Sequence, residues 1–496
     1  MFQVDDLEKD AIEILRLIKS LRNRFTPINR IPPEILTLVP DFLDTHSCDR
    51  IAIALSHVCR TWREMFISRS SLWSNLNCVD ADKARVYFER SGTSPINVRL
   101  RWDVNPHPPD TFLQIIPQAI GRLKSLSVYT EPGDLQVIIS HLNHPAPLLE
   151  TLHLEGHHNE PQHYPVLAPT IFNGDLSSLR ELHLHCIRTE LPWRNMVNLT
   201  SFMLNSTSAS SFGQLLDFFE SAPHLHNIDL LRTTLISGGE NGRLVSLDHL
   251  ERMEIDDCGP ISILLDHLVI PVGAELILRS GSNTFILEDC IPRSLDNLEN
   301  LSSVAKIHLH LGGSRSFFVR FSGLDGQLRI MSTYVYIPPS QAFESLARFD
   351  TSKTEWLRID SRSDPLSRDV PYRALLPMKN LRTLVLSRCT GLPCAFMDVL
   401  NPNTSLSKEV VCPSLEELVF VRRPPENPGD DDEEEFDMQA VIEMAAVRAS
   451  RGAKLGIVKD EAEIDPVDLL ELRKHVLHVE YGARIDLYGD GSDWEG

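Results

Sequence analysis

Apolar residues follow three different rhythms along the chain. Between Asp5 and Phe25, the residues Leu7, Ala11, Ile14, Ile18, Leu21 and Phe25 recur in alternating steps of four and three. That spacing lays one apolar stripe along a helix whose other faces are charged, and it predicts an amphipathic helix in residues 1–27. Fewer than three heptads are present, so the helix is expected to pack on its own chain, with a self-associating coiled coil as the alternative. From Ile28 to Asn77 the helical rhythm comes in short pieces. Pro32 and Pro33 suit the first turn of a helix, where a missing amide hydrogen costs little. Glu34 complements the dipole there, and Pro40 limits the helix to about two turns. Asp49 is placed to cap the next helix, along which Ala54, Leu55, Val58, Trp62 and Met65 give a continuous apolar face. The expected product is a compact helical hairpin, with more large apolar groups than so small a unit can bury.

The third rhythm is a repeat. The unit Leu-x-x-Leu-x-Leu, sometimes ending in Cys, starts at Leu123, Leu149, Leu179, Leu199, Leu225 and Leu250, and recurs at Val304, Leu381 and Leu415. The first six starts lie 20 to 30 residues apart, in or close to the range of leucine-rich repeats. The last two apolar positions of each unit share one face of a short strand. Between units, Asp134–Pro147 and Gly213–Pro223 read as helices ended by Pro or Asn. A strand and a helix cannot bury their apolar sides alone, so neighbouring units must stack. Residues 78–424 are therefore expected to form an irregular leucine-rich-repeat-like α/β solenoid, a horseshoe arc. Its stretch 260–375 is β-rich but poorly spaced, and irregular units are expected there. Concave strand-face positions such as His153, Glu155, His183 and His185 are candidates for contact with a bound protein.

Charge changes the picture at the C-terminal end. Of the net −21, residues 426–496 contribute −13, from 20 acidic and 7 basic residues. Seven of the eight residues 430–437 are acidic and follow a Pro/Gly-rich stretch. Such composition cannot pack, so 425–437 reads as a solvated linker or loop, with a docking patch for a basic partner as the alternative. Residues 438–496 then hold a helix (Met438–Lys454) and a capping segment. Neither part of the chain is basic, which argues against nucleic-acid binding through phosphate neutralisation.

The nine cysteines are scattered and odd in number; Cys59 and Cys186, in apolar contexts, read as small buried hydrophobes. No run of about 18 apolar residues predicts a membrane span. The acidic N-terminus does not look like a signal peptide, so the chain is expected in the cytosol or the nucleus. Four Asn-x-Ser/Thr sequons, at Asn198, Asn205, Asn300 and Asn403, then read as chance. The sequence lacks the phosphate-binding GxxxxGK-Ser/Thr and GxGxxG patterns, and the catalytic HExxH and GxSxG. Cys389 and Cys394 do not have zinc-site spacing. His141, His144, His153, His157, His158 and His163 crowd one region; surface histidines are the expected reading and a metal site the alternative. No catalytic residue, cofactor or metal is expected.

Residues 28–77 resemble an F-box. The likeness rests on Ile31-Pro32-Pro33-Glu34-Ile35-Leu36, on Val58-Cys59-Arg60-Thr61-Trp62, and on Leu72-Trp73. These match the family's aliphatic-Pro-x-Glu-aliphatic-aliphatic opening, its Val-Cys-basic-x-Trp centre and its closing Leu-Trp. The chain is also similar to the expanded F-box-like proteins of mushroom-forming fungi, in which an N-terminal helix, RIPPEIL, HVCRTWRE and SRSSLW precede a divergent repeat region. It departs from the family at Pro40, close to where many members continue with an aliphatic-Phe pair, and at DTHSCDR, which lengthens the connection to the second helix. The resemblance implies a three-helix F-box that binds a Skp-type adaptor and, through it, a cullin. Ile31, Pro32, Ile35, Leu36, Val58, Cys59 and Trp62 would supply that contact, and Trp73 would pin the third helix. It further implies a non-catalytic substrate-recognition subunit of a ubiquitin ligase, with the repeats holding a target protein. The rival expectation is a repeat-based binding scaffold without a ligase, capped by the helical hairpin. An enzyme would require clustered buried titratable groups in a cleft.

Overall fold

A computed structural model describes residues 2–42, 48–101, 110–157, 163–189, 196–236, 242–259, 261–280, 290–301, 304–311, 316–323, 327–333, 338–361, 367–387, 392–404, 409–421 and 437–482. The chain divides into two compact units, Met1–Ser210 and Ser211–Gly496.

The first unit opens with the expected amphipathic helix, α1 (Phe2–Arg24). The expectation that it packs on its own chain is overturned: Leu7, Ile14, Leu15, Leu17, Ile18, Leu21 and the following Phe25 are all exposed. Next come α2 (Pro33–Leu38), a 3-10 turn (Val39–Phe42), α3 (Cys48–Ser56) and α4 (Arg60–Ser68). Pro32 and Pro33 open α2, and Pro40 falls in the 3-10 turn that ends it. Asp49 lies inside the helix that begins at Cys48, so it is not the residue before it.

The single helix expected through Leu55 and Trp62 is two helices. The Ser56 hydroxyl donates back to the Ile53 carbonyl at 2.8 Å, and the Arg63 Nε donates to the Ser56 carbonyl at 3.0 Å. These bonds replace the next helical turn. Cys59 is then fully extended (φ −158°, ψ 174°) and heads α4.

The Ser70–Trp73 turn leads into a parallel sheet. Its strands Asn75–Asn77, Ile96–Arg101, Leu123–Thr130, Thr151–Gly156, Glu181–His185 and Ser201–Asn205 pair in chain order. The repeat leucines account for the register. Leu126, Leu152, Leu182 and Phe202 stand opposite one another, as do Val128, Leu154, Leu184 and Leu204, and none of the eight is more than 1% exposed. Each such burial is worth roughly 1.5–3 kcal/mol, obtained only when units stack. Backbone bonds step from unit to unit at one level, from Glu150 to Lys124, from Arg180 to Glu150 and from Thr200 to Arg180.

The second unit begins with the helix Phe212–Ser221 and the parallel strands Asn227–Leu231, Arg252–Asp256 and Glu275–Ser280. Within the poorly spaced region, chain order and spatial order part. Gln327–Thr333 pairs with Glu275–Ser280 in parallel. Ser316–Ser322 runs antiparallel between it and Lys306–Leu311, which in turn joins Trp356–Ser361 in parallel. A reversed three-stranded meander thus continues the sheet. The apolar triplet Leu309, Val319 and Ile330 lies in register across it, buried throughout. Antiparallel neighbours need no repeat-length crossover, so the repeat spacing is lost there.

Strands Thr383–Ser387, Glu417–Val421, Ile457–Asp460 and His478–Tyr481 complete the unit, with helices Met438–Ser450 and Pro466–His475. The acidic stretch at 425–437 lies outside the described residues except for Asp437, which caps the helix Met438–Ser450 through the amides of Gln439 and Ala440. No described helix is long and apolar enough to cross a membrane.

Candidate functional site

Two surfaces carry the chemistry that the sequence singles out. The first is on the small helical cluster. Leu36, Trp62 and Phe66 form its core, with Leu55, Cys59, Met65 and Leu72 packed against them. Trp62 Nε1 donates to Asn29 Oδ1 at 2.7 Å, and Asn29 Nδ2 donates to the Asn23 carbonyl at 2.6 Å. The buried indole is therefore tied to the end of α1. Trp73 is fully buried, donates to the Phe66 carbonyl at 2.9 Å, and meets Tyr87 edge-on, with the Arg90 guanidinium over its ring. It joins the cluster to the first helix of the repeats.

This packing sorts the seven expected adaptor-contact residues into two sets. Leu36 (5% exposed) and Trp62 face inward. Cys59 is half-buried at the head of α4. Ile31, Pro32, Ile35 (53% exposed) and Val58 (55% exposed) face solvent. Leu38, Val39, Ile53 and, above all, Phe42 at 85% exposure belong with this outward set, and the motif reading missed them. Their signal was available: Leu38, Val39 and Phe42 directly follow the motif's opening on the same short helical run. Pro40 among them is buried, and its turn carries Val39 and Phe42 with their side chains in solvent. So many large apolar side chains left open on a helical unit of this size are the mark of a surface covered by a partner.

The second surface is the open strand face of the first unit. His153 and His183 are opposite in register and stack with ring centroids 4.1 Å apart. Glu155 and His185 are opposite one step on, with His185 Nδ1 2.9 Å from Glu155 Oε1. The four residues proposed from the repeat pattern are thus contiguous. Burial, then His183 and Arg99, push the His153 imidazole from 6.5 down to about 4. His185 goes the other way, raised by hydrogen bonding to Cys186 and to Glu155 against the opposing effect of burial. Register extends the surface to Tyr129 and Arg101, whose guanidinium lies 5.3 Å from the Tyr129 ring. Strand alternation alone would have added both.

On the equivalent face in the second unit many positions are covered. Ile277, His308, Arg358, Asp360, Val385, Val419 and Val421 are all buried. There His308 Nε2 lies 2.6 Å from Asp360 Oδ2, and Arg358 Nε 2.9 Å from Asp360 Oδ1. Burial alone would raise the Asp360 carboxyl, but hydrogen bonds from His308 and His310 and the Arg358 charge hold it well below the usual carboxylate range. Burial lowers the His308 imidazole. These groups answer one another across neighbouring strands of the sheet, as structural ion-pair networks do.

The cysteines are structural where described. Cys78, Cys186, Cys258, Cys290 and Cys412 are buried, and burial pushes the thiols of Cys78, Cys258 and Cys412 up to about 12. Cys59 departs from the buried expectation by being only half-covered. Among the described residues no group of three or more His, Cys, Asp or Glu could hold a metal ion.

Comparison with known proteins adds to this geometry. No curated protein matches the sequence. Among solved structures, one similar chain is that of the "Crystal structure of TLR13-ssRNA13 complex", at 14% identity and a TM-score of 0.32, covering 66% of this chain and 42% of that one. The family model for F-box-like domains matches residues 28–79, the stretch that holds the Leu36–Trp62–Phe66 core and the exposed set around it. Residues 28–79 are an F-box-like domain.

Proposed function

We propose that this chain is the substrate-recognition subunit of a Skp–cullin–F-box ubiquitin ligase, itself without catalysis. The observation that carries the reading is the outward apolar set of the F-box-like domain, Ile31, Ile35, Leu38, Val39, Phe42 and Val58, which the domain's own core leaves uncovered. A Skp-type adaptor is the partner that an F-box-like domain brings, and the adaptor connects it to a cullin. The target is expected on the open strand face around His153, Glu155, His183 and His185, where side chains are half-exposed and of mixed charge. A target lysine would then react faster because it is held at high effective concentration near the activated ubiquitin.

The test is co-purification of the full chain with a Skp-type adaptor, beside the variant Ile35→Asp/Phe42→Asp. Both sites are exposed, so the substitutions spare the fold while placing charges in the contact, at a cost of several kcal/mol when desolvated. Adaptor retained by the parent and lost by the folded variant supports the reading. If the parent also fails to retain it, the chain is a repeat-based binding scaffold without a ligase, with Trp73 fastening the helical cluster onto the first repeat as a cap.

A further inference from the structure

The exposed stripe of α1 needs a cover, and its charges specify one. In heptad terms Leu7, Ile14 and Leu21 are one set of seam positions, and Ala11 and Ile18, joined by Phe25 in the turn just past Arg24, the other. The flanking positions are Glu8, Leu15 and Arg22 on one side, and Asp10, Leu17 and Arg24 on the other. All of these flanking residues are exposed. The acidic flanks are at the start of the helix and the basic flanks at its end.

We infer that α1 pairs antiparallel with α1 of a second copy of this chain, forming a two-fold symmetric coiled coil. The seam layers are then Leu7 with Phe25, Ala11 with Leu21, and Ile14 with Ile18 of the second copy, each formed twice. With those layers set, like flanks meet across the seam. Glu8 faces Arg22 and Asp10 faces Arg24 of the second copy. Leu15 faces Leu15 and Leu17 faces Leu17 at the centre, widening the apolar strip where it crosses the dyad. All flanking charges are matched, and the same patch serves both chains, as an isologous dimer requires.

The parallel arrangement fails this test. It would put Asp10 against Leu15 and Leu17 against Arg22 of the second copy, and would leave both acidic ends together and both basic ends together. The antiparallel pair also sends the two F-box-like domains, which follow Arg24, to opposite ends of a helix pair about 27 Å long, so each keeps its own adaptor surface. The inference does not depend on the ligase reading.

The experiment is sedimentation of the full chain over a concentration series, combined with cysteine cross-linking. A reversible dimer is expected. Ile14→Asp/Ile18→Asp should weaken it at least about 100-fold, because the charges would be buried in the seam. Glu8→Arg/Asp10→Arg should weaken it roughly tenfold by like-charge contact with Arg22 and Arg24. Adding Arg22→Glu/Arg24→Glu to that variant should restore it, which a merely misfolded helix would not do. A Leu7→Cys chain mixed with a Phe25→Cys chain should cross-link above the background of the parent, while Leu7→Cys alone should not. A parent that stays monomeric, a dimer indifferent to Ile14→Asp/Ile18→Asp, or self-cross-linking of Leu7→Cys would each overturn the proposal. Failure of adaptor capture would leave it standing.

Discussion

Ile35 and Leu36 are neighbours in a two-turn helix and do opposite work. Leu36 packs on Trp62 and Phe66, while Ile35 points into solvent. Leu36→Asp should therefore unfold the helical cluster, at a cost of several kcal/mol for the buried charge, whereas Ile35→Asp should leave its thermal melt unchanged; melts that coincide would place Leu36 at the surface instead. A second residue-scale effect is at His153. The unfolded chain binds a proton near pH 6.5, but the folded chain accepts it only near pH 4. Between those values the unfolded state holds more protons, so stability falls as pH falls through the window. His185, with its raised value, opposes this: its contribution is present below the ordinary histidine value and is lost as pH rises through the raised one. His153→Gln should narrow the difference between urea midpoints taken at about pH 7 and about pH 4.5. An undiminished acid loss in that variant would assign the effect elsewhere.

Among the elements, the helix Met438–Ser450 is held by an unusual anchor. Arg448 is completely buried, and its guanidinium donates to the carbonyls of Leu400, Val411 and Cys412 at 3.4, 2.7 and 2.8 Å. Leu400 ends the preceding repeat's helix, and Val411 and Cys412 lie in the bend before its strand, so one side chain ties together the repeats on either side of the acidic stretch. Arg448→Met keeps the volume but orphans the carbonyls, and should cost about 3–5 kcal/mol in equilibrium unfolding; a loss below about 1 kcal/mol would mean water replaces the donor. Position 448 reads in the sequence as an ordinary helical arginine. Nothing local distinguishes it, because its partners lie 36 to 48 residues away.

At the scale of the molecule, the proposed function puts adaptor and target on different elements. The residues proposed for the adaptor are on α2 and the turn after it, and those proposed for a target are on the strands Thr151–Gly156 and Glu181–His185. The doubly substituted His153→Ala/His185→Ala chain is therefore expected to capture the adaptor as well as the parent does while losing bound target, read by recovery of ubiquitinated protein from cells. Joint loss of both would show that the strand face supports the helical cluster rather than a target.

The apolar rhythm by itself determined α1 and the leucine ladder from Leu123 to Leu250, Pro40 set the end of the short α2, and the F-box-like anchors were legible as a resemblance. Each of these rests on residues close in sequence, whose spacing states which side of an element is apolar. Tertiary structure decided what that side meets. It turned Leu36 and Trp62 inward and left Ile35 and Phe42 outward, broke the helix between Ser56 and Arg60, and threaded Ser316–Ser322 in reverse between two strands. It also left the stripe of α1 in solvent. Periodicity is a property of one segment, whereas burial is settled between segments, by bonds such as Trp62 to Asn29 and Arg448 to Val411 that span tens of residues.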